Sequence, residues 1–240
     1  MENFDQSNDH LILDQLDTAA VSKSFIANVF SWMFAALLIS GGVSWFFAQS
    51  DYFWSLYNPE GPSMLGYVVM FAPLLFVLGL GAGFNRFSYG TLTVLFIAFS
   101  AVMGVSFSYI FFAYSLGSIM TVFFASAAVF GVMALAGYRT NTDLTKMGSL
   151  LFMGLIGIII ASVINMFLGS AMMDYVISII GVLIFVGLTA YDMQKIKRMS
   201  MVLEEGTEST KKMVLMGALS LYLDFINLFL LLLRLFGSRD

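Results

Sequence analysis

The sequence predicts an all-α integral membrane protein with seven transmembrane helices, and three observations lead there. Of 240 residues, 60% are apolar and 11% charged, against roughly 45–50% and 25% in a soluble domain. So little polar surface cannot coat a globule. Seven apolar stretches reach the roughly 20 residues that a helix needs to cross a bilayer. The basic residues fall almost wholly on alternate connections between those stretches, the pattern of a multi-pass chain with one cytoplasmic side.

Residues 1–23 carry Glu2, Asp5, Asp9, Asp14 and Asp17, the source of most of the net charge of −4. They lack the basic start and apolar centre of a signal peptide. They are expected to form an acidic cytoplasmic tail, a solvated arm with a short amphipathic helix over residues 11–21. The one histidine, His10, belongs to that arm, and the absence of Cys excludes disulfides and thiolate metal sites. A seven-helix domain over 24–236 follows, with spans at 24–48, 64–84, 89–112, 115–137, 147–169, 173–194 and 214–236, then a short C-terminal tail, 237–240. The breaks are "NPEGP", "FNRFS", "SLGS", "YRTNTDLTK", "GSAMMD" and the charged stretch 195–212. Pro73 should kink the second span, which neighbouring helices can accommodate.

With the N-terminus cytoplasmic, nine of the eleven bases are inside: Lys23, Arg86, Arg139, Lys146, Lys195, Lys197, Arg198, Lys211 and Lys212. Only Arg234 and Arg239 remain outside, with the C-terminus. Gly79 with Gly83, and Gly154 with Gly157, fit close helix packing. The 17 Met and 25 Phe are read as packing and lipid-facing surface, the sharper alternative being a Met-lined metal path.

Two carboxylates lie inside the spans, Asp192 and Asp224. Each costs at least about 2.5–3.5 kcal/mol to bury on insertion scales, so such residues face the bundle interior or a watered cavity. At 100° per residue, Gly217, Ser220 and Asn227 lie within about 60° of Asp224, and Gly181, Ser178 and Thr189 within about 60° of Asp192. Both helices thus carry a small, polar stripe. Asp224 lies about 10 Å beyond Gly217 along its helix, a depth that lets it meet Asp192 near the cytoplasmic side. Two Asp in hydrogen-bond reach hold a proton between them and titrate as a pair. The plainer reading is that each fixes packing by bonding a Ser, Tyr or Asn. Arg86, ending the second span, either anchors at the headgroups or turns inward to pair with Asp192 and close the cytoplasmic mouth. Arg234 is expected as an outer-interface anchor, Asn28 and Asn165 as interhelical hydrogen bonders. Arg139 and Asp143 are expected to pair and cap the fifth span.

Three stretches, "LTAYDMQKIK", "MGALSLYLDFINLFLLLLRLFG" and "GYRTNTDLTKMG", resemble the Bax inhibitor-1 family, the transmembrane Bax inhibitor motif proteins, in its bacterial form. The resemblance covers nearly the whole chain after the tail. It implies six helices in two layers around a central C-terminal helix, in a bacterial cell (inner) membrane. It also implies a pH-sensitive calcium leak governed by Asp192 and Asp224, with Arg86 as latch and Ser220, Asn227 and Thr189 as supporting polar groups. Ca2+ is then the permeant ion, touching Asp192 and Asp224 in passing. No cofactor is expected. The partners are the bilayer, Ca2+, H+ and other membrane proteins, with nothing pointing to nucleic acid.

Other classes compete. An intramembrane aspartyl protease also uses an Asp dyad, but its second Asp follows Gly-x-Gly and precedes a Pro-Ala-Leu motif, where this chain has "LYLD" and no later Pro. A retinal photoreceptor needs a Schiff-base Lys within the sixth or seventh span, and their cores have none. A proton-coupled transporter would show repeats or unwound helices, which are not evident. A non-conducting regulator that binds other membrane proteins stays open.

Overall fold

In hydrocarbon the backbone has no solvent to bond, so each apolar stretch must close its hydrogen bonds within a helix. The computed structural model describes residues 2–58, 61–202 and 206–238, with side chains from 21 onward. Its long helices are α1 (Glu2–Ala48), α3 (Met64–Gly83), α4 (Tyr89–Phe107), α6 (Leu116–Arg139), α7 (Thr145–Leu168), α8 (Ala171–Ser200) and α9 (Glu208–Phe236). Between them lie the one-turn helices α2 (Phe53–Leu56) and α5 (Ile110–Ala113) and a two-residue hairpin, β1 (Tyr57–Asn58) with β2 (Gly61–Pro62). Among the described residues, seven helices are long and apolar enough to cross a membrane.

The helix starts are written in the sequence. Ser63, Ser88, Ser115, Ser170 and Thr207 each accept a hydrogen bond from a backbone N–H in the first turn, of α3, α4, α6, α8 and α9 in that order. Each satisfies one of the donors that a helix N-terminus leaves free. α7 ends at Gly169, whose φ of 62° is the left-handed conformation that suits glycine. α3 runs unbroken through Pro73.

Three expected boundaries move. α1 is continuous from Glu2, so the backbone of the acidic tail extends the first helix rather than forming a separate segment over 11–21. α8 persists to Ser200 and α9 begins at Glu208, which shortens the expected 195–212 break between the helices to residues 201–207. The physical reason is that charged residues end a membrane span without ending a helix: Lys, Arg and Glu are good helix formers in water.

α9 is buried over 67% of its most apolar stretch, against at most 33% for any other span. It packs against α1, α4, α6 and α8, while α3 lies on α4 and α7 on α8. The buried residues of α9, from Asp224 through Leu221 and Phe225 to Leu219, cover roughly 220° of its circumference, as suits a helix with neighbours on most sides. By contrast only 6% of the corresponding stretch of α7 is buried, the condition of a helix facing lipid. At the end away from the bases, Phe53 stacks on Tyr57 and Phe112, with Trp54 edge-on to Phe53 and Phe112. Tyr52, Trp54 and Tyr109 stay exposed there, as rings at a membrane–water boundary do.

Three polar expectations are corrected. Asp143 does support the start of α7, accepting from the Thr145 N–H at 2.9 Å, but its ion partner is Arg198 of α8, at 2.9 Å, and not Arg139. Hydrogen bonds from Thr145, side chain first, and from Arg198 hold the Asp143 carboxyl down at about 2. Asn165 bonds the Ser170 N–H within the α7–α8 turn at 3.0 Å rather than another span. Asn28 is exposed. Arg234 does more than anchor at an interface: it pairs with Asp174 at 2.9 Å, tying the end of α9 to the start of α8.

Candidate functional site

α8 and α9 run antiparallel, and three contacts fix their register. A Cβ on Gly217 would meet Ile196, the Ser220 hydroxyl bonds Asp192, and a Cβ on Gly181 would meet Leu231. Asp192 is therefore level with Ser220, and Asp224 lies one turn further in, about 6 Å along the axis, level with Thr189. The two carboxylates interact as like charges across this interface, and Lys195 adds its charge to Asp192.

Asp224 is 5% exposed, and its Oδ2 has no hydrogen-bond partner among the described residues. Such an orphan is rare, because a buried polar atom without a partner costs about 1–3 kcal/mol. Aromatic rings dry the neighbouring surface: Phe225 meets the edges of Phe123 and Phe130 on α6 at 5.3 and 5.6 Å between centroids. Asp192 is partly buried. Among the described residues no three His, Cys, Asp or Glu side chains converge, so contact with a cation would rest on the two aspartates.

The structure thus places Asp192 and Asp224 within electrostatic reach across the α8–α9 interface, with Ser220 bonded to Asp192, but no hydrogen bond joins the two carboxylates, because they lie one helical turn apart. It does not join the other sequence candidates to them. Thr189 is buried but donates to Phe185 O of its own helix at 2.8 Å, and Asn227 likewise to Leu223 O at 2.8 Å. Arg86 is exposed in the turn after α3 and forms none of the ion pairs among the described residues, so the expected Arg86–Asp192 pair is not made in this conformation.

Two arrangements around the pair were not read from the sequence. The first anchors α8. The Gln194 Oε1 accepts from Leu144 N at 2.9 Å, and its Nε2 donates to Thr142 O at 2.8 Å. Lys197 donates to Tyr138 O at 2.7 Å and lies 5.0 Å from the centre of the Tyr138 ring. Together with Arg198–Asp143, these bonds fasten the segment beyond Asp192 to the α6–α7 turn. The run of Gln194, Lys197 and Arg198 past the span end is the only sequence signal, and it reads equally as a solvated face. The second lies on the other side of α9, where the buried Tyr222 hydroxyl meets Ser40 of α1 at 2.7 Å. At the start of α9, Glu208 accepts from Tyr89 N of α4 at 3.0 Å and pairs with Lys212 at 3.2 Å.

Comparison with known proteins places the chain among membrane proteins. The chain is 42% identical over 218 residues to the inner membrane protein YbhL of Escherichia coli K12, covering 90% of this chain and 92% of that one. An uncharacterized protein of Borreliella burgdorferi is 42% identical over 219 residues, 91% of this chain and 94% of its own length. An uncharacterized membrane protein of Streptococcus pyogenes, M6_Spy0327, is 37% identical over 235 residues, 97% of this chain and 100% of its own. The profile of the family described as "Inhibitor of apoptosis-promoting Bax1" matches residues 22–240. With that match running through all seven spans, the chain is a multi-pass membrane protein that belongs to the Bax inhibitor-1 family.

Proposed function

We propose that the protein is a pH-responsive calcium leak in a bacterial inner membrane, controlled by a proton that Asp192 and Asp224 share. The observation that carries this reading is the buried, unpartnered Oδ2 of Asp224 beside a second carboxylate. A pair serving packing alone would have every lone pair satisfied, because nothing is gained by leaving one dry. A proton between the carboxylates relieves both the like-charge repulsion and the orphaned acceptor. Its loss leaves a negative centre in a dry interface, which draws water and a cation. The decisive experiment is calcium flux into liposomes holding only the purified chain, over a pH series. Absence of flux at every pH, with folded protein verified, would favour a non-conducting regulator instead.

Arg86 belongs to the same proposal as a latch that reaches Asp192 in another conformation. It is exposed and makes no ion pair among the described residues, which leaves it available. Arg86→Ala is expected to raise basal flux several-fold while keeping part of the pH response. Unchanged basal flux would reduce Arg86 to a headgroup anchor.

The orientation proposed is N-terminus cytoplasmic and C-terminus outside, resting on nine of eleven bases at one end of the bundle. Reporter fusions at the two termini are expected to give opposite signals. Termini on the same side would break the seven-span topology.

A further inference from the structure

Tyr222 and Asp224 are two residues apart on α9, which turns their side chains about 160° from each other. Asp224 faces α8. Tyr222 faces α1 and α4, fully buried at 0% exposure, with its ring edge-on to Phe99 of α4 at 5.6 Å. Its hydroxyl lies 2.7 Å from the Ser40 hydroxyl. Ser40 directs its own hydrogen towards Ala36 O at 2.8 Å and Ser100 O at 2.9 Å. A serine hydroxyl has one proton, and those carbonyls take it. The bond to Tyr222 must therefore run the other way, from the Tyr222 O–H to Ser40. One buried node thus joins α1, α4 and α9, and only the tyrosine proton attaches α9 to it.

Apart from the Ser220–Asp192 bond to α8 and the Tyr222 bond to Ser40, helix α9 makes no side-chain hydrogen bond to a neighbouring helix at this depth among the described residues, and only that of Tyr222 ties it there to α1 or α4. Its other buried residues here are Leu221, Phe225 and Ile226, whose contacts tolerate small rotations. We propose that Tyr222 is a positioning residue for the aspartate pair: its hydroxyl, donated to Ser40, fixes the rotation of α9 and so aims Asp224 at Asp192. This deepens the function proposed above and rests on it. Rotating α9 by 20° would carry a carboxylate roughly 6–7 Å from the axis sideways by about 2 Å, comparable with a hydrogen-bond length. The charges acting on the pair among the described residues are the two aspartates themselves and Lys195 of α8; α1, α4 and α6 direct no charged side chain at Asp224.

The test uses full-length protein in liposomes. Its first readout is the infrared carbonyl band of protonated carboxyl groups from about pH 5 to 9, assigned with Asp224→Asn. Tyr222→Phe keeps the ring and leaves Ser40 bonded to its carbonyls, so folding is expected to survive. The carboxyl midpoint and the pH of half-maximal calcium flux should both move by at least about 0.5 pH unit. Ser126→Ala removes a buried hydroxyl that bonds only Val122 O of its own helix, and should move neither. Should Tyr222→Phe fold poorly, the Ser40→Ala, Tyr222→Phe double variant removes both hydroxyls and predicts the same shift. An infrared midpoint within error of wild type in the folded variant overturns the positioning role, whatever the flux does. A moved midpoint in a protein that passes no calcium keeps the positioning role and overturns the leak.

Discussion

Asp224→Asn and Asp192→Asn are each expected to leave calcium flux that no longer changes between about pH 6 and pH 8, the range in which a shared carboxyl proton would come and go. Asparagine has nearly the shape of aspartate and still hydrogen-bonds, but cannot titrate, so the substitution separates packing from proton exchange. The two sites differ in how well they accept it. At position 192 an amide oxygen still receives the Ser220 hydroxyl. At position 224 the amide NH2 would take the place of a buried oxygen that has no partner among the described residues, and an orphaned donor costs about 1–3 kcal/mol. Flux must therefore be compared at equal amounts of folded protein. If both variants keep the wild-type pH profile, the pair is a packing device and the leak mechanism is wrong.

Gly137→Ala is expected to have the largest effect on stability. A Cβ at Gly137 of α6 would overlap Ala190 O and lie 2.8 Å from its Cα. These are backbone atoms of α8, which no rotamer change can move aside. Alanine is the better helix former by about 1 kcal/mol, but the overlap forces the two helices apart, and overpacking costs about 1–3 kcal/mol or more. The overlap wins. Heating in detergent should show a lower unfolding midpoint for Gly137→Ala, whereas Gly79→Ala, where nothing lies within 4 Å, should match or exceed wild type. Equal midpoints for the two variants would mean that α6 and α8 do not cross so closely. Because Ala190 is two residues from Asp192, a displaced α8 would also disturb the aspartate pair.

Much of this protein was legible before any coordinates. A bilayer imposes one length and one kind of backbone pairing on every span, so seven apolar stretches gave seven helices, at 24–48 and 214–236 as at the five between. The pairing of spans six and seven was legible too, because an intramembrane carboxylate demands an interior face and helical periodicity identifies which residues share it. Helix ends were less so. Lys195, Lys197 and Arg198 mark where the bilayer ends for α8, and the helix continues through them to Ser200.

Polar partners were the least legible. A serine in a helix can bond its own carbonyl four residues back, and Ser100, Ser126 and Ser178 do. Nothing in the sequence distinguishes them from Ser40, which also holds Tyr222 across 182 positions. Asp143 could have met Arg139 or Arg198 with equal chemistry; the packing of α7 on α8 chose Arg198. Composition and periodicity alone determined that the chain lives in a membrane, how many times it crosses, and which two carboxylates turn inward. Only the tertiary structure decided that Asp224 keeps an unpartnered oxygen, that Asp192 lies level with Ser220, and that Arg86 stands apart from both. The reason is that burial follows from each residue's own affinity for water, whereas a hydrogen bond needs two groups whose meeting depends on how whole helices pack.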